Sequence, residues 1–128
     1  MIPLFKQYPS LKEKLPYAQL GEFPTPILRL NQLGKEVGAE QLYIKNDGVS
    51  GLDYGGNKIR KLEFIMGEAL RKNAKAVLTF GFAGSNHALA TAVYAHKLGL
   101  QCISILLAQP NAQYLRKNLL FSRVCAVY

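Results

Sequence analysis

The chain has 128 residues, 49% of them hydrophobic and 19% charged, a balance that suits a globular domain of ordinary size and excludes a disordered tract. Sixteen Lys and Arg against eight Asp and Glu leave a formal charge of +8, which suits an anionic ligand; the cations are scattered, however, and no aromatic pattern interleaves them, so no nucleic-acid partner is expected. No apolar run approaches the ~18 residues of a membrane span, so no membrane partner is expected, and MIPLFKQYPS lacks the long apolar core of a signal peptide.

Residues 1–26 contain Pro3, Pro9, Pro16, Pro24 and Pro26 and read as irregular, with FPTPILRL stiff and extended at its prolines. Residues 27–37 predict a short helix ending at Gly38, and LYIKN, 42–46, predicts a strand. NDGVSGLDYGG then supplies a glycine-rich loop. Ile59, Leu62, Ile65, Met66, Ala69 and Leu70 recur at helical spacing, with Asn57 as the expected N-cap. AVLTF, 76–80, predicts a buried strand and GFAG a tight turn. Ser85 is placed to cap a second helix running to about Leu98, stopped by Gly99 at its C′ position. LQCISILL, 100–107, predicts another strand. Pro110-Asn111 is expected to open a third helix to about Leu120, and RVCAVY, 123–128, to start one more strand.

Strands alternating with helices of this length predict an α/β fold with a mainly parallel open sheet and helices on both faces. The strand-like end leaves an unpaired edge. The expectation is therefore the N-terminal part of a longer chain, the alternative a small domain that forms a homodimer through that edge. Cys102 and Cys125 lack CxxC spacing and sit in apolar runs, which reads as buried, reduced thiols of a cytoplasmic protein.

Chemistry is concentrated in two places. In DYGGNKIRKLEF a lysine, Lys58, stands where a helix begins, although the positive end of the helix dipole disfavours an ammonium there. Gly51 and Gly56 have P-loop separation, but the next residue is Asn57, and Ile59 follows Lys58 where a metal-binding hydroxyl is required, so a P-loop is rejected. A lysine wanted as a neutral amine is a Schiff-base nucleophile. Lys61, on a neighbouring helix face, is placed to hold an anionic group; a solvated basic turn is the plainer alternative. In TFGFAGSNHALA a strand ends and a helix starts at Ser85, Asn86 and His87, where an open α/β sheet binds ligands and backbone N–H groups receive anions. Ser85 as a simple cap is the alternative. His87 and His96 have no matching acid cluster, so neither a metal site nor a Ser–His–acid triad is expected.

Together, GGNKIRKLEF and GSNHALATA resemble the pyridoxal-phosphate enzymes related to 1-aminocyclopropane-1-carboxylate deaminase and D-cysteine desulfhydrase, which have the tryptophan-synthase-β type of fold. PTPILRLNQLGKEVG and LYIKND fit that family's opening. The resemblance covers nearly all of this chain and well under half of a family member. It implies an incomplete fold of that type, with residues 1–60 a piece of the large cofactor domain and 61–128 part of the small domain. It implies pyridoxal 5′-phosphate as cofactor, bound as a Schiff base to Lys58, with Asn86 on the ring's phenolic oxygen and Lys61 helping to hold the phosphate. Lys58, once released, and Ser85 would be the catalytic groups, and Ser85, Asn86 and His87 would face a small amino-acid substrate or its proton path. The implied function is the N-terminal segment of a deaminase or desulfhydrase-like lyase; the alternative is a catalytically inactive, truncated paralogue acting at most as an interaction module. The chain departs from the family at Gly84, where glutamine is usual, and at Ala88-Leu89-Ala90, where many members have arginine. The family's phosphate-cradling loop, pyridine-nitrogen partner and substrate-side tyrosine belong to sequence that this chain does not contain.

Overall fold

The computed structural model describes residues 2–110 and 115–125. Two short helices, α1 (Pro3–Gln7) and α2 (Leu11–Lys14), precede strand β1 (Ile27–Arg29), helix α3 (Asn31–Glu36) and strand β2 (Tyr43–Lys45). Helix α4 (Ile59–Arg71), strand β3 (Ala76–Phe82), helix α5 (Asn86–Lys97), strand β4 (Gln101–Leu107) and helix α6 (Leu115–Cys125) follow. The fold is α/β, as the alternation of patterns predicts.

Strands β3 and β4 pair in parallel over their whole length, from Ala76 with Gln101 to Phe82 with Leu107, joined through α5 as a βαβ unit. Strand β2 does not join them. It pairs antiparallel with β1, Ile27 opposite Lys45, so the segment expected to begin a helix at residue 27 first forms three residues of strand. Gly38, at φ 69°, follows the end of α3 as expected.

Alternation along β3 and β4 divides the parallel pair into two faces. One carries Thr79 and Cys102, both buried, and packs against α5. Gly81 lies on this face because a Cβ there would come within 2.6 Å of the Ser85 Cβ. The other face carries Leu78, Phe80, Phe82, Ile103, Ile105 and Leu107, all exposed. Among the described residues helices thus cover one face of this pair, against the two that the pattern predicts.

The core joins α4 to α5. Ile59, Leu62, Met66, Leu89 and Tyr94 are fully buried, and each such side chain contributes roughly 1.5–3 kcal/mol of transfer free energy. The helix stripe in α4 is narrower than the sequence pattern, because Ile65 and Leu70 are exposed while Glu63 is 3% exposed. The Glu63 carboxylate accepts from Leu20 N–H at 3.2 Å and Gly21 N–H at 3.1 Å, and its backbone carbonyl accepts from Ala18 N–H at 2.8 Å. Burial and the hydrogen bond to Glu63 push the Tyr17 phenol up. Glu63 therefore lays residues 17–21 along α4. Truncation by Glu63→Ala orphans two buried N–H groups and is expected to lower unfolding free energy by about 2 kcal/mol; Glu63→Gln, which keeps an acceptor, is expected to lose less, as urea denaturation will measure.

Just beyond the end of α4, Asn73 adopts φ 53°, a left-handed conformation that asparagine tolerates. Helix α5 starts and stops as its sequence predicts: Ser85 Oγ accepts from Ala88 N–H at 3.2 Å, and Gly99 adopts φ 71°. The last helix differs from expectation. It continues through Cys125, so Arg123, Val124 and Cys125 are helical and not strand; helical hydrogen bonding carried on from residue 115 prevails over the strand preference of Val and Cys. The expected helix start at Asn111 and the end of the expected strand, 126–128, lie outside the described residues. No described helix is long and apolar enough to cross a membrane.

Candidate functional site

The loop before α4 is folded on itself. Ser50 Oγ donates to Gly56 C=O and accepts from Gly56 N–H, both at 3.0 Å. The Asp47 carbonyl accepts from Gly56 N–H at 2.8 Å and Ser50 N–H at 3.1 Å. Its glycines serve this packing. A Cβ on Gly55 would overlap the Gly48 carbonyl, and one on Gly51 would overlap the Tyr94 hydroxyl. Gly56 adopts φ 114° with open space where a Cβ would lie.

The cap differs from the expected one. Lys58, at φ −69° and ψ −28°, is the N-cap of α4, and no side chain caps it. Asn57 precedes the cap position, and the Ser50–Gly56–Asp47 contacts lie immediately before it. The Lys58 carbonyl accepts from Leu62 N–H at 3.1 Å, and its half-buried side chain leaves from the helix mouth. Lys61 lies on the next turn and is exposed.

Asp47 also ties the loop to α4 by its side chain. Arg60 donates to its carboxylate from Nη2 at 2.9 Å and Nε at 3.2 Å, Thr25 Oγ1 donates at 2.6 Å, and the Arg60 guanidinium stacks 4.2 Å from the Phe23 ring centroid. The Arg60 and Thr25 hydrogen bonds hold the Asp47 carboxyl down to about 2. Since the folded value lies below the unfolded ~3.9, this stabilisation is complete above about pH 4 and is lost as pH falls through about 2. The pair is partly exposed, with Arg60 40% and Asp47 24% accessible, which discounts its worth to about 1 kcal/mol. Asp47→Asn is expected to cost that amount at neutral pH, with the two denaturation curves converging near pH 2.

Ser85, Asn86 and His87 start α5 at the carboxyl end of β3. Ser85 is the cap already described, so the bland role expected for it is present whatever else it does. Asn86 is exposed, and its Oδ1 accepts from Tyr54 Oη at 3.0 Å and Asn118 Nδ2 at 2.9 Å. Tyr54 in turn accepts at its carbonyl from Tyr94 Oη, 2.7 Å away. The imidazole of His87 is held below its ordinary range, first by burial and then by the Lys58 and Lys61 ammonium groups. The two lysines of one helix start and the histidine of the other thus share one electrostatic environment, in which the charged form of His87 is disfavoured.

The candidate site residues Lys58, Lys61, Ser85, Asn86 and His87 therefore lie at two helix starts, and Tyr54 and Asn118 join Asn86 to the fold. Tyr54, Asn118 and Asp47 do not stand out in the sequence, since their partners lie far along the chain; for Glu63 the one available signal is an acid beside Leu62 and Met66 of the apolar stripe. A groove of about 670 Å³ lined by Pro3, Phe5, Tyr17, Phe23 and Arg71 holds none of these site residues. Among the described residues no cluster of side chains could hold a metal ion.

The helix starts fit a flat, anionic, carbonyl-bearing ligand. Lys58 offers an amine, Lys61 and the N–H groups of α5 favour anionic oxygens, and Asn86 retains an amide N–H that meets no described acceptor. The family model for pyridoxal-phosphate dependent enzymes matches residues 18–118. A Pyrococcus horikoshii protein with the provisional name 1-aminocyclopropane-1-carboxylate deaminase is 42% identical over 118 residues, 92% of this chain and 35% of its own length. D-cysteine desulfhydrase of Salmonella paratyphi B is 44% identical over 93 residues, 73% of this chain and 28% of its own. The crystal structure of an ACC deaminase homologue superposes with a TM-score of 0.79 at 42% identity, over 97% of this chain and 36% of that one. The chain thus spans about a third of the length of the relatives that it matches. Over that length sequence and fold coincide with those of the relatives, and the chain belongs to the pyridoxal-phosphate dependent enzyme family.

Proposed function

We propose that this chain supplies the lysine-bearing part of a pyridoxal-phosphate-dependent deaminase or desulfhydrase-like lyase acting on a small amino acid. The observation that carries the reading is the convergence of Lys58 and Lys61 with Asn86 and His87 at two helix starts braced through Tyr54. When bound, the cofactor supplies an electron sink for the carbanion of an amino acid. Lys58 holds it covalently, and its amine, once free, moves a proton at the substrate carbon. Lys61 attracts the phosphate, and Asn86 donates its amide N–H to the ring oxygen. Ser85 and His87 face the substrate, where His87, its charged form disfavoured by burial and the two lysines, accepts a proton or a hydrogen bond.

The test is to incubate the purified chain with pyridoxal 5′-phosphate, reduce with borohydride and map the adduct by mass spectrometry. One adduct at Lys58 is expected. Scattered labelling of surface lysines overturns the reading. It would favour a second one, motivated by the uncovered apolar face of β3 and β4, in which the chain is an inactive interaction module.

A further inference from the structure

An asparagine amide has nearly the same shape in its two orientations, which differ in the end that donates. At Asn86 the choice is settled by a group that can only accept. The Gly84 carbonyl lies 2.9 Å from the side-chain amide of Asn118, so the nitrogen of that amide faces it. The same nitrogen lies 2.9 Å from one end of the Asn86 amide; that end must accept and is Oδ1. Tyr54 Oη, 3.0 Å from the same oxygen, is a second donor. Turning Asn86 over would set its NH₂ against the NH₂ of Asn118. Water cannot readily relieve that clash, because Asn118 is 6% exposed.

The brace is itself held. Tyr94, fully buried, donates to the Tyr54 carbonyl at 2.7 Å. The N–H of Gly84 donates to Gln109 Oε1 at 3.2 Å, so both polar groups of that turn residue are bonded by side chains.

We propose that Tyr54 and Asn118 are positioning residues that lock the Asn86 amide with its oxygen inward and its N–H presented to the cofactor's anionic ring oxygen. The destination of that N–H rests on the function proposed above; the lock does not. Its physical use is preorganisation: a donor already aimed at an anionic acceptor costs no reorientation on binding.

The lock is read without cofactor, in the ¹⁵N-labelled chain. The Asn86 side-chain NH₂ is expected to be as rigid as ordered backbone, with an order parameter of about 0.85, and to fall below about 0.6 in both Asn118→Leu and Tyr54→Phe, the backbone spectrum elsewhere being retained. A mobile amide in the unaltered chain, or a rigid one in the variants, overturns the lock. Tyr54→Phe, which removes one hydroxyl, decides alone if Asn118→Leu fails to fold.

The destination is read by comparing pyridoxal phosphate with its 3-deoxy analogue, which lacks the ring oxygen. The variants are expected to weaken pyridoxal phosphate about tenfold and the analogue less than about twofold. Equal weakening overturns the assigned destination. If neither compound is trapped on Lys58 of the unaltered chain, the proposed function fails, and the lock stands or falls on the cofactor-free spectrum.

Discussion

Lys58→Ala is expected to abolish the borohydride-trapped adduct on the segment that opens α4, while the far-ultraviolet spectrum and melting temperature stay close to those of the unaltered chain. The side chain that is removed is half-buried and caps nothing, so the loss falls on chemistry and not on the fold. Lys58→Arg separates the two things a lysine supplies there. Arginine keeps the positive charge that attracts a phosphate-bearing ligand, yet its guanidinium is not a nucleophile at any accessible pH. Non-covalent cofactor binding that survives in the arginine variant, with no adduct, is the expected result. An adduct that persists in Lys58→Ala and moves to Lys61 would show that the second lysine is the nucleophile and would sink the assignment.

Gly55→Ala is expected to be the most damaging single methyl in the loop. The added Cβ meets a backbone carbonyl, that of Gly48, and backbone cannot step aside as the end of a side chain can. Opening the loop to admit it breaks the Gly56–Asp47 and Gly56–Ser50 contacts that set the start of α4. The expected cost is about 3 kcal/mol, or roughly 10 °C in melting temperature for a domain of this size. Gly56→Ala is the informative comparison. Space is open there, but the positive φ of 114° strains any residue with a Cβ, so a smaller loss, free of steric overlap, is expected.

What could be read from the sequence was what depends on neighbours along the chain. Ser85 caps α5 and Gly99 ends it because cap chemistry is local. The strands at 76–82 and 101–107 are legible because apolar runs between turn residues leave few alternatives. The two helix starts stand out by their residue types, and the motif pair by itself resembles the cofactor family. Local reasoning failed where distant partners decide. Ile27–Arg29 is strand because Tyr43–Lys45 lies beside it. Lys58 takes the cap position that Asn57 seemed to fit because Ser50 and Asp47 hold the preceding glycine. Asn118 reads as one more polar residue on a helix, although it reaches back to Gly84 and Asn86.

That backward reach has a consequence for the order of assembly. The turn that presents Asn86 is secured by Gln109 on the Gly84 N–H and Asn118 on the Gly84 carbonyl, both later in the chain. During synthesis, the turn leaves the ribosome before its clamps, and ribosomes add only about 5–20 residues per second. For some seconds the lysine end of the site can be in place while the asparagine end is still loose. On the function proposed above, the Lys58 amine would be available to cofactor before residue 118 has emerged to align the Asn86 amide.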